Sequence, residues 1–95
     1  MAHQLVIRPE AEADIAETYR WYEDQKVELG KDFLLALDTT FQLIRQTPKL
    51  FPKLYKNIRR VLIRRFPYGI FYLEEKDRVV VLAVLHARRD PERWP

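Results

Sequence analysis

Two segments of this chain place apolar residues on one face of a helix with the same rhythm, and they follow each other almost without a break. Ala11, Ile15, Tyr19 and Tyr22 recur at spacings of four, four and three. Phe33, Leu37, Phe41 and Ile44 repeat that pattern, with Leu34 beside them. Such spacing gives an apolar stripe on each helix and demands a common surface to bury it. Pro9 suits the first turn of the first helix, and Glu10 and Glu12 behind it favour its positive end. A helix is therefore expected over residues 9–28. Gly30 sits where that helix would end, and Pro48 ends the second one. A connection this short makes an antiparallel hairpin. The simplest account of both aromatic stripes is core packing.

The flanking segments read as strands. Residues 3–8 form a short apolar run that stops at Arg8-Pro9. Residues 47–57, TPKLFPKLYKN, hold two prolines and no helical period, and read as a loop. Ile58 to Phe66 alternates imperfectly, placing Arg60 and Arg64 on one face. Tyr68 to Leu73 is aromatic-rich, and Arg78 to His86 has the continuous apolar character of a buried strand. The expected fold is thus α+β: an N-terminal strand, a helical hairpin, then a three-stranded antiparallel meander, making one small sheet in a single domain over residues 1–95.

Composition narrows the chemistry. The chain has 95 residues, and only 2 of them are glycine, which excludes a Gly-rich phosphate loop. The absence of cysteine removes disulfides, thiolate metal sites and a cysteine nucleophile. Two histidines, His3 and His86, are too few for a His-rich metal site, so neither a metal nor another cofactor is expected. The longest apolar run, Val79 to Leu85, is far short of the roughly 18 residues of a membrane span. The start MAHQLVIRPE lacks a signal-peptide core, and a cytoplasmic protein without membrane contact is expected.

Charge is distributed unevenly. Residues 1–48 carry 5 basic and 9 acidic groups, and residues 49–95 carry 12 and 5, giving −4 and +7. The basic half is dominated by Arg59, Arg60, Arg64, Arg65, Arg88, Arg89 and Arg93. Guanidinium groups suit phosphate or carboxylate and stay charged at any working pH. If the helices cover one sheet face, arginines on the other would make a cationic floor. Edge arginines can instead only discourage sheet-to-sheet aggregation. Tyr55, Phe66, Tyr68 and Trp94 supply the aromatics that single-stranded nucleic acid would need, but an acidic peptide would also fit. Trp94 suits a packing lid or a partner anchor. His86 ends the core strand. It is the one histidine placed for proton transfer, and equally a capping residue.

The sequence VIRPEAEADIAETYRWYEDQKVELGKDF, then IRRVLIRRFPYGIFY, then VVVLAVLHARRDPERW resembles the RelE/ParE superfamily of toxins from type II toxin–antitoxin modules. The resemblance runs nearly the whole chain. It implies a small α+β toxin wrapped by an antitoxin that contributes an acidic segment, in a hetero-oligomer. The RelE-like branch cleaves messenger RNA on the ribosome. There the resemblance would place Arg60, Arg64 and Arg89 on phosphate, with His86 for proton transfer. That branch carries an arginine just before its LVY-like strand motif; the corresponding stretch here is Tyr68 to Tyr72, and the place of the arginine is Gly69. A glycine supplies no cation. The opening WYE, the FPY turn and the HARRDP ending are closer to the ParE-like, plasmid-stabilisation branch, whose members poison DNA gyrase. In that reading Arg59, Arg60, Arg64, Arg88, Arg89, Arg93 and Trp94 serve target or antitoxin binding, and no catalytic residue is required. A third possibility is a toxin relic that retains only antitoxin binding.

Overall fold

A computed structural model describes residues 2–88. Strand β1 (Gln4–Ile7) leads into helices α1 (Pro9–Gln25) and α2 (Leu29–Gln46), and strands β2 (Lys53–Tyr55), β3 (Ile58–Leu62), β4 (Tyr68–Glu75) and β5 (Arg78–His86) follow. The strands form one sheet in the order β1-β5-β4-β3-β2. β1 runs parallel to β5, pairing Leu5 with Val79 and Ile7 with Val81, while the other pairings are antiparallel. The α+β architecture expected from the sequence is the one found. It gains one short edge strand: β2 lies inside the segment that the two prolines mark as a loop, so four strands follow the helices rather than three.

The helices lie on one face of the sheet. α2 buries Phe33, Leu37, Phe41 and Ile44, as its stripe predicts. α1 departs from its stripe. Ala11, Thr18 and Tyr22 are buried, whereas Ile15 and Tyr19 are only half-buried. The contact line of α1 is set by β5, where Asp14 accepts a hydrogen bond from the Val84 N–H at 3.1 Å. That bond turns a polar edge of the helix inward and rotates Ile15 and Tyr19 toward α2.

The hairpin is tightened without a glycine turn. α1 ends at Gln25, three residues before the expected boundary, and Glu28 (φ 73°) makes the left-handed bend. Gly30 belongs to the first turn of α2. The Glu23 carboxylate accepts hydrogen bonds from the N–H groups of Glu28 (2.9 Å) and Gly30 (3.0 Å). A negative charge there satisfies orphan donors and complements the helix dipole.

Between helices and sheet, Tyr22, Phe33, Phe66 and Tyr68 form an aromatic cluster with ring centroids 5.0–6.1 Å apart. Val61, Ile63, Ile70, Tyr72, Val79, Val81 and Val84 complete the core from the sheet side. Tyr72 is wholly buried and donates its phenol hydrogen to the Pro48 carbonyl at 2.7 Å. Burial pushes this phenol up to about 12; nearby Arg59 opposes the shift and Glu74 adds to it. The folded state therefore keeps a proton that the unfolded chain releases near pH 10. Its contribution is complete below pH 10 and is lost as pH rises through about 12. Alkaline unfolding curves should steepen over that window. Tyr72→Phe should flatten them, while costing about 1 kcal/mol at neutral pH through the lost hydrogen bond.

Candidate functional site

The arginines do not assemble into one floor. β3 stops at Leu62, so Arg64 lies in the turn beyond the strand and not two pleats along from Arg60. The reason is local. Ile63 and Phe66 are both buried and pin the turn, the Ile63 N–H donates to the Tyr68 carbonyl at 2.9 Å, and Arg65 takes a left-handed backbone (φ 76°). Arg64 and Arg65 are thereby held outward at the β3–β4 tip, both exposed, with the Arg65 guanidinium 5.7 Å from the Phe66 ring centroid. The turn after β5 is tied to the same tip by the Ala87 N–H, which donates to the Pro67 carbonyl at 2.8 Å, and it presents exposed Arg88. Arg64, Arg65 and Arg88 therefore share one end of the sheet. Arg89, Arg93 and Trp94 lie outside the described residues.

His86 faces this end from the last position of β5. Its Nδ1 accepts from the Arg88 N–H at 3.2 Å and its ring meets Tyr68 edge-on at 5.4 Å. With Nδ1 accepting, the neutral ring carries its proton on Nε2. A notch of about 150 Å³ opens beside it, lined by Asp14, Glu17, Thr18, Tyr68 and His86. Two acidic side chains of α1, Asp14 and Glu17, thus share this notch with the histidine.

Arg60 is separate from both. Its side chain lies over Gly69 on the sheet face away from the helices, and a Cβ at Gly69 would come within 3.2 Å of Arg60 Cγ and Cδ. Gly69 makes room for this stem. The same face carries exposed Leu62, and Phe71 and Val80 alternate onto it fully or nearly buried. It is not a bare cationic surface. Arg59, next in the strand, points to the helix side. Its Nη1 donates to the carbonyls of Phe51 (2.6 Å) and Lys49 (3.4 Å).

Two features escaped the sequence reading. One is a mainly apolar groove of about 500 Å³ on the outer side of the hairpin, lined by Glu12, Ile15, Ala16, Tyr19, Arg20 and Leu34. The alternative helical face, with Trp21, Leu34 and Leu35 exposed, was its available signal. The other is a pocket of about 410 Å³ formed by Lys49, Lys53, Asn57, Arg59 and Glu74. The repeated Pro-Lys-Leu at 48–50 and 52–54 pointed to it. Among the described residues, no group of histidine, cysteine and acidic side chains is placed to hold a metal ion, and no helix is long and apolar enough to cross a membrane.

Comparison with known proteins agrees with this architecture. Residues 5–91 match the family model described as the ParE toxin of the type II toxin–antitoxin system, parDE. The chain is 27% identical over 92 residues to Toxin ParE2 of Mycobacterium tuberculosis, covering 96% of this chain and 88% of that relative. In three dimensions it resembles a chain of the chromosomal ParDE TA system from P. aeruginosa, with a TM-score of 0.67 at 14% identity over 90% of this chain and 96% of that one. A chain of the toxin–antitoxin complex RelBE2 from Mycobacterium tuberculosis superposes with a TM-score of 0.63 at 18% identity, covering 90% and 99%.

Proposed function

From a chain that belongs to the ParE toxin family of type II toxin–antitoxin systems, we propose a toxin that inhibits growth by poisoning DNA gyrase and is neutralised by a cognate antitoxin. The observation that carries the target reading is the fixed presentation of Arg64, Arg65 and Arg88 at one end of the sheet. Cations held outward on a pinned turn steer and orient an anionic or acidic target without chemistry of their own. Gly69 supports the same choice, because the RNA-cleaving branch has a cation at that place and here the space holds the stem of Arg60.

The antitoxin contact is proposed at the hairpin groove. Ala16, Tyr19 and Leu34, with the part of Ile15 that the core leaves uncovered, present apolar surface bordered by Glu12 and Arg20. This suits an amphipathic helix laid between α1 and α2. The systems to which the structurally similar chains belong are toxin–antitoxin assemblies by name.

The purified protein should abolish gyrase supercoiling and accumulate cleaved DNA, and the antitoxin encoded beside it should reverse both. Arg64→Glu with Arg65→Glu should weaken the effect about tenfold or more while leaving the circular dichroism spectrum unchanged, since both side chains are exposed. Cleavage of message on programmed ribosomes with intact gyrase activity would overturn the target. Antitoxin binding with no growth effect would identify a scaffold that has lost its toxicity.

A further inference from the structure

The pocket at the start of β3 lies at the other end of that strand from the arginine tip, and no step proposed above uses it. Arg59 is half-buried there, and its orientation is fixed because Nη1 is held by the carbonyls of Phe51 and Lys49. Among the described residues its Nε and Nη2 make no hydrogen bond and no ion pair. Those two nitrogens form the side of a guanidinium that receives an oxyanion through two parallel bonds. Lys49, Lys53 and Asn57 line the same pocket and add two further cations and an amide. The single opposing charge, Glu74, lies 3.4 Å from His3 Nε2. Three cations around one carboxylate leave room, in charge and in volume, for another anion.

The surroundings favour one source for that anion. Leu50 and Leu54 follow the two lysines in the repeated Pro-Lys-Leu and are 68% and 42% exposed. Exposed leucines next in the chain to the lysines of a cationic pocket suit an acidic peptide with apolar side chains better than a sugar–phosphate backbone, which presents charge without them. We propose that Lys49, Lys53, Asn57 and Arg59 form an oxyanion subsite that takes a glutamate or aspartate side chain from an acidic segment of a protein partner, whose apolar side chains meet the exposed Leu50 and Leu54 that follow the two lysines. The subsite stands on its own geometry. That its physiological occupant is the antitoxin rests on the preceding functional reading.

The test uses the isolated protein, with acetyl-Leu-Glu-Leu-amide, acetyl-Leu-Gln-Leu-amide and inorganic phosphate as probes. The side-chain Nε–H resonance of Arg59 is followed by ¹⁵N NMR. The glutamate peptide should shift it saturably, and the glutamine peptide should bind about tenfold more weakly, the worth of one charge-assisted hydrogen-bonded contact. Lys49→Gln with Lys53→Gln, both at exposed positions, should weaken the glutamate peptide several-fold with an unchanged amide spectrum. In Arg59→Lys, where binding is followed through the backbone amides of Lys53 and Asn57, the preference should be abolished, because an ammonium lacks the two-pronged edge. Equal affinity for the two peptides, equal shifts at Arg64 and Arg78, or phosphate binding more tightly than the glutamate peptide would each overturn the proposal. Co-purification with the antitoxin is scored separately. An antitoxin that binds while Arg59 ignores the glutamate peptide overturns the subsite alone, and the reverse overturns the antitoxin contact alone.

Discussion

Replacing Phe33 with alanine is expected to destabilise the protein by about 3–5 kcal/mol, the largest effect of any single truncation here. Phe33 is 0% exposed, and its ring lies 5.5 Å from Tyr22, 5.5 Å from Phe66 and 5.9 Å from Tyr68. It joins α2 to α1 and to the turn that holds Arg64 and Arg65. The loss combines buried apolar area, the cavity left behind and three ring contacts. A domain of this size commonly has a total stability of about 5–10 kcal/mol, so the variant should be marginally folded at 25 °C and unfolded at growth temperature. Urea denaturation measures it directly. Phe33→Leu should cost about half as much. A Phe33→Ala midpoint close to that of the parent would contradict a cluster packed this closely. The proposed growth inhibition should vanish in this variant together with the folded state, whereas Arg64→Glu with Arg65→Glu should weaken it in a protein that remains folded.

Gly30→Ala carries a prediction whose sign is informative. Alanine in a helix is ordinarily preferred to glycine by about 1 kcal/mol, and Gly30 lies within α2 without a left-handed backbone. Propensity alone therefore favours the substitution. Packing opposes it. A Cβ at this position would sit 2.8 Å from the Tyr19 carbonyl oxygen, 2.8 Å from Tyr19 Cδ1 and 2.9 Å from Glu23 Oε1. The ring can swing away, but the carbonyl belongs to helix backbone and cannot move without α1. Displacing Glu23 also loosens the carboxylate that caps the start of α2. Overpacking typically costs 1–3 kcal/mol, roughly, and the lost capping adds to it. A net loss of about 1–3 kcal/mol follows, or on the order of 5–20 °C in the thermal midpoint. A midpoint raised by alanine would show that the helices approach less closely than these distances indicate.

What the sequence disclosed and what it hid divide along physical lines. The stripe of α2 was legible because burial there is purely apolar and obeys the helical period. α1 was misread in part. Its buried line includes Thr18, and its rotation depends on Asp14 reaching Val84, a contact 70 residues away in the chain. Both breaks that displaced expected boundaries fall on charged residues with left-handed backbones, Glu28 and Arg65. Such positions usually announce themselves as glycine or asparagine, and neither does here. Edge strand β2 was hidden because three residues are too few to show alternation. The arginines were found, but their faces were not. Strand alternation groups Arg64 with Arg60, but buried Ile63 and Phe66 turn the chain around it. The lysines of the loop went unnoticed because an exposed lysine carries meaning only once a fixed arginine stands beside it.

The parallel pairing of β1 with β5 joins residues 4–7 to residues 78–81. A ribosome makes the first of these partners 74 residues ahead of the second. β1 has no sheet to join until the chain through β5 has emerged, and such long-range pairing is slow to form. A message cut short, or a chain released early, thus yields a product that cannot close its sheet. The sheet closes only once β5 has been made, so this topology delays the protein's competence until residues 78–81 have joined the chain.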